Sequence, residues 1–329
     1  MSQTPKVLGF GTAILDLLVR TDDSFISEHS GGGKGGMILV DEAACSKMLS
    51  LLPECTVAPG GSAGNTLAGL LRLGIRGRML GKVGRDEQGN LYRERFSRLG
   101  GDVSAFKFSE TTRTGCCICL VTPDSERTMR TFLGAASEMS EKDFCPDDLD
   151  GIDLIHMEGY QLYSPGMFEL LLAEAKKRNI PVSFDFSSYE IVKTFRDRIK
   201  TLLKDVSIVF ANEEEAAEFV GRDDFTPEYA LDVLSGYCKT AVVKLGKKGA
   251  LLRRNGETAA VEAELVNAID TTGAGDLWQA GFLYGYLTGC SLENCGRLGA
   301  ALGAEVVSVL GGSIPEEGWQ RIIQKFNLR

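Results

Sequence analysis

The sequence predicts an α/β protein of three layers, with helices on both faces of a mostly parallel central sheet and a small accessory β-sheet attached as a lid. Three observations lead there. Apolar strand-like runs alternate with helical stripes along most of the chain, the pattern of a parallel sheet covered on both sides. Two segments, about 12–40 and 112–135, break that rhythm with β-formers, charges and the glycine run "GGGKGG", and are read as the lid strands. No internal repeat or Pro/Ser-rich linker divides the chain, so residues 1–329 are expected to form a single domain.

Taken in order, "KVLGFG" reads as the first strand. "SAGNTLAGLLRLG" reads as a helix on which Leu67, Leu70 and Leu71 share a face, and "GRMLGKVG" as a further strand. "DLIHMEGY" is strand-like; Phe168, Leu171, Leu172 and Ala175 make a helical stripe ending near Asn179, before the strand "IPVSFDF". Then come "VSIVFAN", the acidic helix start "EEEAAEFV", "TAVVKLG", a helix opening at Gly273 and a closing helix around "GRLGAALGAEVVSVLGG". The run "GGGKGG" lacks a following Ser or Thr and a strand-to-helix setting, so it reads as a flexible loop and not as a phosphate cradle.

Composition narrows the partners. With 36 Lys and Arg against 45 Asp and Glu, the formal charge of -9 works against nucleic acid or an anionic membrane surface and favours small-molecule chemistry. No run of 18 apolar residues occurs and the polar start resembles no signal peptide, so a cytoplasmic protein is expected. Nine cysteines, an odd number lying in apolar stretches, fit reduced thiols. Cys116, Cys117 and Cys119 suggest a metal cluster, but "GCCICLV" reads as a buried strand whose adjacent residues face opposite ways. Packing is the preferred reading of that stretch.

In an open parallel sheet, ligands gather where strands end and helices begin. Four such junctions carry chemistry. "GFGTAILD" ends in Asp16, an acceptor for sugar hydroxyls; as a dinucleotide fingerprint it fails, because Ile14 stands at the third glycine. In "APGGSAGNTLAGL", Gly60 and Gly61 allow close approach and Asn65 offers donor and acceptor from the first helical turn. In "VFANEEEA", Asn212 and Glu215 lie one turn apart, a pair that helix capping also explains. In "DTTGAGD", Gly273, Ala274 and Gly275 open a helix whose unpaired N–H groups form an anion hole, with Asp276 beside it to take the proton of an attacking hydroxyl.

"DTTGAGDLWQAGF" resembles the carboxyl-terminal signature of the ribokinase-like (PfkB) carbohydrate kinases. "GGSAGNTLAGLLRLG" with "GKVGRDEQG" resembles their amino-terminal one. "ANEEEA" and "GGSIPEE" are similar to stretches of the adenosine-kinase-like branch, and the resemblance covers nearly the whole chain. It implies an ATP- and Mg2+-dependent kinase acting on a primary hydroxyl of a ribonucleoside or sugar. By resemblance, Asp276 is the base, Arg127 a lid arginine approaching the transferred phosphate, and Asp16, Gly60, Gly61 and Asn65 hold the acceptor. Asn212 and Glu215 order magnesium and its waters; Lys244, Gly246 and Gly249 border the nucleotide; Asp270, Thr272 and Ser313 stand where many members hold K+.

Some residues depart from the family pattern. Lys244 replaces a common Thr, no arginine follows Asp185 until Arg196, and "GTAILD" lacks the usual Asn-Pro pair. The missing arginine argues against sugar-acid and fructose acceptors. A free sugar such as ribose or fructose is the alternative acceptor, and a non-catalytic nucleotide or sugar sensor on the same fold is the alternative role. An exposed lid edge leaves both a monomer and a lid-mediated homodimer open.

Overall fold

In the computed structural model, which describes residues 4–124, 126–222 and 224–328, eight strands form the central sheet. From one edge they run Glu257–Val261, Ala250–Arg254, Thr240–Lys244, Ile208–Asn212, Val182–Asp185, Leu154–Glu158, Lys6–Phe10 and Arg76–Leu80. The six from Thr240–Lys244 onward are parallel; the first two are antiparallel additions. Side-chain alternation gives each inner strand two apolar faces. Thus Val7 packs with the cluster around Leu67, Leu277 and Phe282, while its neighbour Leu8 packs with Phe168, Val192 and Phe219 on the other side.

Several of the helices begin where the sequence supplies an acceptor. Asp86, Ser188, Asn212, Thr226 and Ser291 each accept a backbone N–H from their own first turn. The stripe Phe168–Ala175 belongs to the helix Met167–Arg178, which ends at Asn179 in the left-handed region, φ 56°.

A second sheet of five strands lies in the order Met37–Leu39, Arg127–Gly134, Thr114–Val121, Ile14–Arg20 and Thr56–Pro59. The two irregular segments of the sequence supply four of these. The fifth, Thr56–Pro59, and the helices Asp23–His29 and Glu42–Leu51 are additions the sequence reading did not contain. Both helices are short and capped by an aspartate, Asp22 and Asp41, so local capping made them where a long apolar stripe was lacking. "GRMLGKVG" also differs from its single predicted strand. The chain bends at Gly81, so Arg76–Leu80 stays in the central sheet while Lys82–Gly84 pairs with Lys107–Ser109.

The chain leaves the first strand toward the Arg76–Leu80 edge and later resumes on its other side at Leu154–Glu158. That reversal opens a crevice at the carboxyl ends of these two strands.

Candidate active site

Glu158 occupies the crevice. Fully buried, it accepts the backbone N–H and hydroxyl of Thr12 at 2.7 and 2.6 Å with one oxygen, and the N–H of Ala63 at 2.8 Å with the other. One carboxylate therefore ties the turn after the first strand to the start of the helix Ser62–Arg72. Burial pushes its pKa up to about 7, against these donors. The sequence reading missed Glu158, although an acid closing an apolar strand was a visible signal.

The glycines beside it are there for space. Gly61 sits at φ 85°, and a side chain there would collide with the Thr12 carbonyl. Gly60 is not among the residues that line the cavity, and a side chain there would strike the Asp16 carboxylate, so its smallness makes room for Asp16.

One cavity of about 960 Å3 receives residues from both sheets, among them Asp16, Gly61, Asn65, Arg127, Lys244 and Asp276. Asp16 lies on the strand Ile14–Arg20, and no side chain hydrogen-bonds to its carboxylate among the described residues. Burial raises its pKa to about 7; Arg127 pulls it down, while Asp276 and Asp270 push it up.

Asp276 lies in the first turn of the helix Ala274–Leu287. The hydroxyl of Ser62 donates to one of its oxygens at 2.8 Å, and the amide of Asn65 donates to the other at 2.9 Å. Burial raises its pKa to about 6, opposed by the Asn65 donor and reinforced by Asp185. Gly273, at φ 68°, turns the chain into this helix. Among the described residues the N–H groups of Gly273, Gly275 and Asp276 have no partner, whereas Ala274 corrects the expected trio by donating to the Thr271 carbonyl at 3.2 Å. The left-handed turn at Gly273 points that one amide back into the chain.

Lys244 ends its strand beside this turn; a Cβ on Gly275 would stand 3.2 Å from its Nζ. The ammonium lies 3.5 Å from Asp185. Burial works against its charge, but Asp185, Glu215 and Asp276 outweigh burial and hold its pKa above the usual lysine value. Asp185, which the sequence reading treated only as a strand landmark, thus belongs to the cavity, as does Ser62. Its place at the carboxyl end of a parallel strand was the available signal.

Asn212 and Glu215 form a reciprocal cap: each accepts the other's backbone N–H at 2.8 Å. Burial lifts Glu215 to about 7, with Asp185 adding to the rise. Gly246 and Gly249, at φ 54° and 97°, turn the chain along the cavity edge.

Asp270 is buried and satisfied from within, by the N–H and hydroxyl of Thr272 and the N–H of Gly311, with the Arg127 guanidinium 3.6 Å away. Ser313, the third residue of the expected cation trio, is exposed and hydrogen-bonds to neither Asp270 nor Thr272 among the described residues. Arg127 itself is nearly buried with its Nε unpartnered, and it lines the cavity. Such a guanidinium matches an anionic ligand. No described helix is long and apolar enough to cross a membrane.

Comparison with known proteins agrees with this geometry. Residues 37–318 match the family described as pfkB family carbohydrate kinase. A protein of Archaeoglobus fulgidus named as an uncharacterized sugar kinase is 30% identical over 74% of this chain and 96% of its own length. An adenosine kinase of Saccharomyces cerevisiae is 26% identical over 95% of this chain and 98% of its own. The crystal structure of adenosine kinase from Sinorhizobium meliloti superposes with a TM-score of 0.90 at 33% identity, covering 98% of this chain and all of that one. With its three layers, second sheet and glycine-opened helix all in that company, the chain belongs to the pfkB family of carbohydrate kinases, phosphotransferases that act on sugar or nucleoside hydroxyls.

Proposed function

We propose that this kinase transfers the γ-phosphoryl group of ATP to the primary 5′-hydroxyl of a ribonucleoside of the adenosine type, with Asp276 as the general base. The observation that carries the reading is the setting of Asp276: a carboxylate gripped at both oxygens, in one cavity with three free amides and the Lys244 ammonium. A base so placed takes the hydroxyl proton while amides and cations offset charge on the phosphoryl oxygens. Transfer is direct and in line, without a covalent enzyme intermediate.

Asp16, Gly61 and Asn65 would hold the acceptor's hydroxyls. Above them the second sheet offers Ile14, Met37, Leu39, Met129 and Leu133 to the cavity. That apolar wall supports a flat base in preference to a free sugar, which would leave it facing only hydroxyls. The second sheet acts as a lid that excludes water and so limits hydrolysis of ATP. Arg127, positioned by Asp270, would approach the transferred phosphate.

Glu215 uses one oxygen in the cap and keeps the other, with Asp185 nearby, so this oxygen-rich corner fits Mg2+ held through water. The ion would neutralise phosphate charge. Purified protein with MgATP, assayed for ADP release against adenosine, other nucleosides, ribose and fructose, tests the proposal. Adenosine or another purine nucleoside should respond most strongly; a dominant response to a free sugar would move the acceptor to that class.

A further inference from the structure

The strand Thr114–Val121 reads TGCCICLV and is buried on both faces. Cys116 turns toward the helix Glu42–Leu51, its sulfur 3.5 Å from that of Cys45. Cys117 and Cys119 share the opposite face, with sulfurs 3.6 Å apart, and that face lines the cavity. Parallel pairing sets Asp16 directly opposite Cys117. One ligand atom from each of Asp16, Cys117 and Cys119 lies within 4.8 Å of the others.

This is a chelating set of two soft sulfurs and one oxygen. A tetrahedral zinc with bonds of about 2.3 Å to sulfur holds two sulfurs about 3.8 Å apart, so the pair needs to adjust by only a few tenths of an ångström. Among the described residues the Asp16 carboxylate has no side-chain partner to give up. Thr131 donates its hydroxyl to the Cys117 sulfur at 3.2 Å, the kind of outer hydrogen bond that orients a metal ligand. Two thiolates and a carboxylate around a divalent ion leave one negative charge, which the neighbouring Arg127 offsets.

We infer that Asp16, Cys117 and Cys119 form a binding site for a thiophilic divalent cation, Zn2+ or Cd2+, at the acceptor end of the cavity, and that filling it excludes the acceptor. The exclusion rests on the proposed role of Asp16; the chelate does not. Each thiol gives its proton to solvent as the metal–sulfur bond forms, as does any protonated Asp16, so binding releases at least two protons.

Cd2+ titrated into the reduced chain without ATP, followed by the ultraviolet cadmium–thiolate band and by equilibrium dialysis, tests the site. One ion per chain is expected in the wild type and in Cys45→Ser, and none in the Cys117→Ser/Cys119→Ser double variant, with its fold checked by circular dichroism. Should the double variant unfold, protection of Cys117 by Cd2+ from alkylation in the wild type serves instead. No band, a band that survives the double substitution, or unprotected Cys117 overturns the chelate. Saturation with the acceptor identified by the ADP-release assay should weaken Cd2+ binding at least tenfold, and unchanged binding overturns the exclusion. If that assay finds no acceptor, the stoichiometry alone still decides the site.

Discussion

Asn65 donates its side-chain amide to Asp276 at 2.9 Å, while Ser62 from the same helical turn donates to the second oxygen. The helix start Ser62–Arg72 therefore aims the carboxylate of the helix Ala274–Leu287. Asp276→Asn should fold normally and lose roughly 10²- to 10⁴-fold in turnover, the usual scale of general base catalysis. Steady-state kcat with a circular-dichroism check decides it; near-normal turnover removes Asp276 from the role.

The same bond predicts a pH effect. A base acts when ionised, so kcat/KM for the acceptor should fall as pH drops through the free-enzyme value of Asp276, about 6. Asn65 holds that value down, so Asn65→Ala should shift the acid limb toward higher pH. A limb that stays in place in the variant assigns the titration to another group.

Lys244 and Asp185 are both largely buried, at 14% and 5% side-chain exposure, and 3.5 Å apart. Lys244→Met leaves Asp185 and Glu215 buried without their cation, which should cost about 3–5 kcal/mol in denaturant unfolding. Adding Asp185→Asn should recover part of that loss. Full additivity of the two substitutions would show that the residues do not interact.

Glu158 accepts from three donors, and a glutamine has one acceptor atom to offer them. Glu158→Gln should destabilise the chain by about 1–3 kcal/mol and raise KM for the acceptor, since Thr12 and Ala63 lose their anchor. A variant with unaltered melting temperature and KM contradicts the anchoring role.

The alternation of apolar periods by itself determined the layers, and the turn residues determined where helices start. Asn212 is an example, capping its helix through contacts three residues away. Local geometry decides such features, and they are legible in a short window. The site divides in the same way. Asp276, Asp16 and Asn65 were legible from the glycine-rich stretches that hold them, although Asp16 stands within the strand Ile14–Arg20 and not at the expected strand-to-helix junction, but their mutual contacts were not. Asn65 meets Asp276 across 211 residues, and Glu158 meets Thr12 across 146. The sequence reading separated Cys116 from Cys117 by alternation, yet could not say that one would face Cys45 and the other Asp16. Periodicity tells which residues share a face. Only strand order and register tell what that face meets, and these follow from how the whole chain buries its apolar surface at once.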